Sequence, residues 1–181
     1  MIGFLPTTLE VSGKEYPIRT DFRTVLVIFQ ALNDPELEET EKAMVILQSL
    51  YEEIPPDLQE ALDKAAWFMD GGQTHKGNEK PVMDWEQDEQ MIFSAVNKVA
   101  GYETRTIDYL HWWSFLGLFN EIGEGLFSTV VNIRRKRNAG KKLDKTEQEF
   151  YKRNREIVNL KKRLSKEEQQ ALDEVNKLLG R

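Results

Sequence analysis

An aspartate and a histidine in the aromatic stretch DYLHWWSFLGLFNEI, residues 108–122, have a spacing that could support chemistry. Asp108 and His111 lie three residues apart, so on a helix their carboxylate and imidazole would be within hydrogen-bonding reach. The pair could act in acid–base catalysis, but a buried polar pair that satisfies its own hydrogen bonds is the interpretation we favour. The sequence contains no Walker motif, no nucleophile elbow and no H-E-x-x-H motif. We therefore predict no catalytic residues and a protein that is not an enzyme.

Metal and cofactor sites have equally little support in the sequence. The chain has no cysteine, and its two histidines, His75 and His111, are too few for a zinc site built on imidazoles. The Gly123-Glu124-Gly125 triplet follows a predicted helix rather than a strand, so it does not read as a dinucleotide-binding loop. We predict neither a metal nor a cofactor.

The spacing of apolar residues predicts a mainly α-helical fold. Short alternating runs on either side of residues 12–14 predict a small N-terminal β-hairpin. Apolar residues then recur at helical spacing in six segments, and Thr20 and Asp57 are the predicted N-caps of the first and the third. We place these helices at about 21–32, 41–53, 58–69, 84–100, 107–122 and 126–137. Residues 71–81 are polar and glycine-bearing, and they predict an exposed loop.

The aromatic helix predicted at 107–122 carries apolar residues around about half of its circumference. A helix of this kind is usually central and packed by several neighbours, so most of its aromatic surface should lie in a core. Trp113 falls outside the main apolar arc, which leaves an aromatic docking face at this residue as the alternative.

Charge divides the chain into two parts. Residues 1–133 carry 9 Lys and Arg against 23 Asp and Glu, and residues 134–181 carry 16 against 8. We predict a compact helical domain at 1–138 and a basic amphipathic helical extension at 139–181. In the extension, apolar residues recur every seven positions from Leu143 to Leu178, but the second seam position of a coiled coil is polar. The extension should therefore dock either on the acidic domain or on a partner.

Nucleic acid is a competing explanation for the basic character of the extension, because clustered cations could contact phosphates. The candidate basic patch is Arg134, Arg135, Lys136, Arg137, Lys141 and Lys142. Acidic residues interrupt the later extension, the rest of the chain is strongly negative, and no nucleic-acid-reading motif is present, so we do not favour this alternative. The longest apolar run is too short to cross a bilayer and no leader is apparent, so we expect a cytoplasmic protein without membrane contact.

Several stretches resemble one known family. They are GKEYPIRTDFR at 13–23, WEQDEQMIFSAV at 85–96, and DYLHWWSFLGLFNEI at 108–122 followed by IRRKR. The combination is distinctive, and it resembles the phage "gene product fifteen" family of tailed phages and prophages of Gram-positive bacteria. The resemblance spans roughly residues 5–138, whereas the chain beyond about residue 140 matches only in its Lys/Glu-rich character.

The resemblance implies a role in building phage tails. Genes of this family typically lie just before the tape-measure gene, where tail assembly chaperones are encoded. Such chaperones are thought to coat the long helical tape-measure protein until tail-tube protein replaces them. The resemblance therefore implies tape-measure protein as partner, together with self-association and contacts to other tail assembly proteins. A structural component of the virion tail and a nucleic-acid-binding protein remain the alternatives.

Under this hypothesis two sets of residues have assigned roles. Asp88 falls within an apolar stripe, where an unpaired carboxylate would cost several kcal/mol, about the scale of a broken buried ion pair. We expect a buried polar cluster that fixes helix register, formed by Asp88, Asp108, His111 and Arg134. We expect the partner to contact aromatic and apolar side chains of both parts of the chain, namely Trp67, Trp85, Trp113, Phe150, Ile157 and Leu164.

Overall fold

The computed structural model describes residues 2–73 and 80–178 and shows a chain made mainly of helices. The two strands are β1 (Thr8–Val11) and β2 (Lys14–Pro17). The helices are α1 (Phe22–Leu32), α2 (Glu39–Leu50), α3 (Leu58–Met69), α4 (Glu89–Ala100), α5 (Trp112–Asn120), α6 (Leu126–Asn138), α7 (Lys145–Arg153), α8 (Arg155–Val158) and α9 (Lys166–Leu178). The predicted fold class, a mainly helical chain with an N-terminal hairpin and a helical C-terminal extension, is confirmed. Part of the predicted 71–81 loop, including His75, lies outside the described residues.

The hairpin closes one side of the core. β1 and β2 pair antiparallel, with Leu9 opposite Tyr16. The turn has positive φ at Ser12 and Gly13, which suits a tight connection between two strands. Alternation places Leu9, Val11 and Tyr16 on the buried face, where β1 also meets α3.

Capping side chains decide where the first helices begin. The N-cap of α1 is Asp21 rather than the predicted Thr20, and its carboxylate accepts a hydrogen bond from the backbone N–H of Arg23. Asp57 caps α3 as the sequence predicted, accepting from the N–H of Glu60. Helix α4 begins at Glu89, later than the predicted residue 84, because Asp84 accepts from the N–H groups two and three residues on and forms a separate turn.

The predicted helix at 107–122 is wrong in its first part. Residues 107–111 are extended, and α5 starts only at Trp112. An isolated β-bridge joins His111 to Asp21, and the N–H of Trp112 donates to the carbonyl of Thr20 at 2.7 Å. Backbone groups that would have made the first helical turn are thus used in a tertiary contact with the start of α1, a partner that local periodicity does not reveal.

Helix α5 is central, and most of the aromatic stretch belongs to the core. Trp112 and Phe115 are fully buried, and the Phe115 ring stacks on Phe22 of α1 with centroids 4.7 Å apart. The indole N–H of Trp112 donates to the carbonyl of Met69 at 2.8 Å, so the buried polar atom is satisfied. Helix α5 packs on both α1 and α4.

The chain after α6 forms the three short helices α7, α8 and α9. Val130 and Ile133 of α6 and Val158 of α8 form a second, smaller buried cluster. Leu143, Phe150 and Ile157, three of the residues spaced by seven, pack against this cluster. Among the helices of residues 2–73 and 80–178, none combines the length and the hydrophobicity needed to cross a bilayer.

Candidate functional site

A buried ion pair joins Asp88, just before α4, to Arg134 of α6. Both side chains are almost completely excluded from solvent, and Nη2 of Arg134 lies 2.9 Å from Oδ1 of Asp88. Nε of the same guanidinium donates to the carbonyl of Val158 at 2.7 Å, and its other hydrogens reach the carbonyls of Val82 and Ile157. This arginine thus connects α4, α6 and α8 with every charge and donor matched, which is a structural arrangement.

The predicted four-residue polar cluster does not form. The structure brings Asp88 and Arg134 together, but His111 contacts Pro6 and the ring of Phe68 instead, and Asp108 is exposed. Nδ1 of His111 accepts from the backbone N–H of Trp113 at 3.0 Å, and Nε2 faces the carbonyl of Pro6 at 3.0 Å. The histidine is therefore an N-cap for α5 and not a partner of Asp108. The prediction was wrong because it required residues 107–111 to be helical.

In the structure the first residue of the predicted basic patch is buried, and Lys136 and Arg137 contact other side chains. Arg134 is 4% exposed and cannot reach a phosphate, so its assignment to the patch is wrong. Lys136 pairs with Glu147, which raises the pKa of the lysine, and Arg137 lies over the ring of Tyr151 at 4.4 Å. The exposed residues of the patch are Arg135, Arg137, Lys141 and Lys142. These four cations give less support to phosphate binding than the run of six in the sequence did.

An aromatic surface lies where α3 ends beside α5. Trp67 is 39% exposed, and its ring meets Trp113 edge-on with centroids 5.3 Å apart. The indole N–H of Trp113 donates to the carbonyl of Phe68 at 2.8 Å. Gly72 lies directly against these rings, and a Cβ atom there would be 2.9 Å from Trp113. Two of the predicted partner-contacting tryptophans therefore share one surface, which presents apolar ring atoms beside a satisfied polar group.

The third predicted tryptophan lines a groove between α1 and α4. Trp85 stacks on Phe29 and contacts Phe119, and it forms one wall of an open cavity of about 360 Å³. The groove is lined by Phe22, Arg23, Leu26, Val27, Gln30, Asn33, Trp85, Glu86, Glu89, Phe93, Arg105 and Arg163. The sequence pattern does not predict this groove. Exposed Val27 on an otherwise polar helix face is the one signal that could have indicated it.

The rim of the groove carries arginines that lie on aromatic rings. The guanidinium of Arg23 is 4.6 Å from the Phe22 ring centroid, and that of Arg105 is 5.0 Å from the Phe93 ring centroid. A hydrogen bond from Arg105, helped by one from Asn97, lowers the pKa of Glu103 to about 2. Arg23 pairs with Asp21 as Arg105 does with Glu103, so the rim presents ordered but compensated charge beside an apolar floor.

The predicted contact residues of the extension lie mostly against the protein itself. Phe150 and Ile157 pack on the second cluster, and Leu164 is half-buried. Arg163 pairs with both Asp84 and Glu86 of the acidic part of the chain. Burial raises the pKa of Asp84, but hydrogen bonds from the Gln87 N–H and from Arg163 outweigh it, and the pKa is lowered overall. The structure thus agrees with docking on the acidic domain as far as residue 163.

Chemically reactive groups are not gathered at any of these places. Within residues 2–73 and 80–178, no group of three or more histidine, aspartate or glutamate side chains is arranged to hold a metal ion. The groove, the tryptophan surface and the exposed cations are instead suited to binding a macromolecule.

Comparison with known protein families identifies the family of the chain. Residues 1–160 match the family described as Bacteriophage Gp15 protein, so the chain belongs to that family. The match extends through α7 and α8, further than the residues that carried the resemblance in the sequence, and it includes the segment that packs on α6. No curated protein and no solved structure matches the chain. Membership of this family suggests a phage structural or assembly protein.

Proposed function

We propose that this protein is a non-enzymatic tail assembly chaperone that binds the tape-measure protein in the host cytoplasm and keeps it soluble until the tail forms. The observation that carries the proposal is the exposed aromatic surface of Trp67 and Trp113. Trp67 is 39% exposed, and Trp113 beside it packs on the core with only part of its ring covered, so apolar ring area remains open to a partner. Family membership supports the connection to phage assembly.

The chemistry of this surface suits a long helical partner. Such a protein presents apolar stripes that would associate in water before the tail closes around them. A flat indole can cover an apolar stripe without demanding one side-chain shape, because ring contacts depend on area more than on exact geometry. Several copies could then shield successive segments of one partner.

The proposal is tested by co-expressing the full chain with tagged tape-measure protein from the same phage and measuring how much of the chain co-purifies. Trp67→Glu should abolish co-purification, because it places a charge in the aromatic surface. Leu58→Glu is the matched control. Leu58 is an exposed apolar residue of the same helix, α3, and it lies nine residues from Trp67, on the opposite face. Equal recovery of wild type and Trp67→Glu would contradict the proposal.

A structural component of the tail is the second candidate, because family membership supports it equally. The two functions differ in where the protein is found after assembly. A chaperone leaves the tape-measure protein when tube protein replaces it, so mass spectrometry of purified virions should detect tape-measure protein and not this chain. Stoichiometric recovery of the chain from mature tails would favour the structural component.

A further inference from the structure

Two arginines near the end of the family match share one tyrosine ring. The guanidinium of Arg137 lies 4.4 Å from the ring centroid of Tyr151, and that of Arg155 lies 5.9 Å from it. Nη1 of Arg137 donates to Oδ1 of Asn159 at 2.6 Å, which fixes the orientation of this guanidinium. Both arginines are exposed, and among the described residues neither forms an ion pair with a carboxylate. Two ordered cations with donors still available form a site for carboxylates.

The outer face of the hairpin carries the opposite charge. Glu10 of β1 lies directly opposite Glu15 of β2, and both side chains are exposed. Like charges that face each other across two strands repel, so this pair lowers the stability of the free hairpin. In the part of the chain that the structure describes, neither glutamate has an ion-pair partner. A cation supplied from outside the hairpin would relieve the repulsion.

The cations nearest to the two glutamates are engaged elsewhere. Lys14 alternates onto the other face of the hairpin and lies 4.6 Å from the ring centroid of Tyr16. The guanidinium of Arg19 donates to three carbonyls at the end of α2. Glu52, whose N–H donates to the carbonyl of the last β2 residue, and Glu53 add two further exposed carboxylates beside the hairpin. The negative charge of this face is therefore uncompensated.

The two surfaces belong to parts of the chain with opposite net charge that do not pair within one molecule. Residues 2–73 carry 5 Lys and Arg against 14 Asp and Glu, and residues 134–163 carry 13 against 4. The hairpin packs on α3, whereas α6 packs on α4 and α8. Among the ion pairs of the described residues, none joins 2–73 to 134–163. Opposite charges that are kept apart in one chain can meet between two chains, and they steer the encounter.

We propose that Arg137 and Arg155 of one copy bind Glu10 and Glu15 of a second copy. The contact places two cations against two carboxylates and removes the like-charge repulsion on both surfaces. Nucleic acid fits the arginines less well, because the rest of the chain is acidic and the Tyr151 ring is covered by guanidinium groups and cannot stack on a base. The contact is argued from these charges and does not depend on the tape-measure proposal.

A contact of this kind is heterologous, since each copy uses one surface to bind the copy before it and another to bind the copy after it. Such contacts repeat and give rings or open chains rather than symmetric dimers. The expected assembly is therefore larger than a dimer at high concentration. It should dissociate in about 1 M salt, where the Debye length is only about 3 Å and exposed charges are screened.

The experiment measures the mass of the full-length protein by sedimentation velocity at low salt, from micromolar to submillimolar concentration. Wild type should associate beyond a dimer, whereas Arg137→Glu/Arg155→Glu and Glu10→Lys/Glu15→Lys should each remain monomeric. An equimolar mixture of the two double variants should associate like wild type, because the exchanged charges again form opposite pairs. Arg155→Glu alone keeps the bond between Arg137 and Asn159 and should weaken association at least tenfold.

The control is Glu121→Lys/Glu124→Lys, which reverses two exposed carboxylates just after α5 and changes the net charge as much as the hairpin variant does. It should associate like wild type. A wild type that is monomeric at low salt, or one whose association is unchanged by salt, would overturn the proposal. So would a control that no longer associates, or a mixture that stays monomeric although both double variants keep the wild-type circular dichroism spectrum. A monomeric wild type that binds duplex DNA through the two arginines would assign them to nucleic acid instead.

Discussion

Asp88 and Arg134 lie 46 residues apart in the chain and form an ion pair that is closed to solvent on every side. The pair holds the start of α4 against α6, and through the carbonyls of Ile157 and Val158 it also holds α8. The helical body and the first part of the extension therefore share one polar anchor. A single substitution at this anchor should affect both.

Replacing Asp88 by Ala should destabilise the fold by about 3–5 kcal/mol, because it leaves the guanidinium of Arg134 buried and uncompensated. Chemical denaturation followed by circular dichroism would measure the change in the free energy of unfolding. Glu124→Ala is the control at an exposed acidic residue and should change it little. The double variant Asp88→Leu/Arg134→Met should recover part of the loss, and an Asp88→Ala variant as stable as wild type would refute the anchoring role.

Replacing Gly72 by Ala should destabilise the protein more than replacing Gly101 by Ala. The two glycines have nearly the same φ, +80° and +79°, so both substitutions carry the same backbone strain. Only at Gly72 would the new Cβ atom collide with Trp113, and such overpacking costs about 1–3 kcal/mol. Comparing the melting temperatures of the two variants therefore measures the cost of the collision with Trp113 alone. Equal melting temperatures would show that Trp113 does not pack on Gly72 as described.

The capping role of His111 can be separated from its ring packing by two substitutions. Asn is a good N-cap residue and Ala is not, so His111→Ala should be less stable than His111→Asn by about 1 kcal/mol. Denaturant midpoints would provide the comparison. Because Nδ1 accepts from Trp113, the proton should reside on Nε2, and two-dimensional ¹⁵N NMR of the imidazole would detect that tautomer. A proton on Nδ1 would contradict the cap.

The contact between Arg163 and Asp84 should respond to acid. The pKa of Asp84 is lowered in the fold, so its contribution to docking is complete above the unfolded value of about 3.8 and is lost as pH falls below it. Protection factors of the backbone N–H groups of residues 159–165, taken relative to the intrinsic exchange rate at each pH, should therefore fall below about pH 4 in the wild type. In Arg163→Gln these protection factors should be low already at neutral pH and change little with pH. Identical profiles for the two proteins would rule out the contact.

Features governed by local spacing could be predicted from the sequence. The hairpin, the Asp57 cap and the helix-rich body followed from turn residues and apolar periodicity. Asp88 was recognised as a buried carboxylate needing a partner, because a charge in an apolar stripe must be matched. The partner Arg134 was named, although it was also assigned wrongly to a phosphate-binding patch.

Features that depend on distant contacts could not be predicted in the same way. Residues 107–111 have a helical pattern, but the carbonyl of Leu110 accepts from the N–H of Phe22 and His111 bridges to Asp21, so the segment is not helical and Asp108 does not meet His111. The sevenfold spacing after Leu143 predicts a helical extension but not the turn at Asn154, which folds α7 and α8 onto α6. The groove beside Val27 requires α1 and α4 to be neighbours, which no single segment specifies.

The central claim is that this protein keeps tape-measure protein soluble, and the most direct measurement is the soluble fraction of that protein in cells. Tape-measure protein from the same phage would be expressed with the full chain, with Trp67→Glu, or with an empty vector, and quantified in supernatant and pellet. Our account predicts a soluble tape-measure protein with the full chain and a pelleted one in the other two samples. Tape-measure protein that pellets equally in all three would contradict the chaperone function.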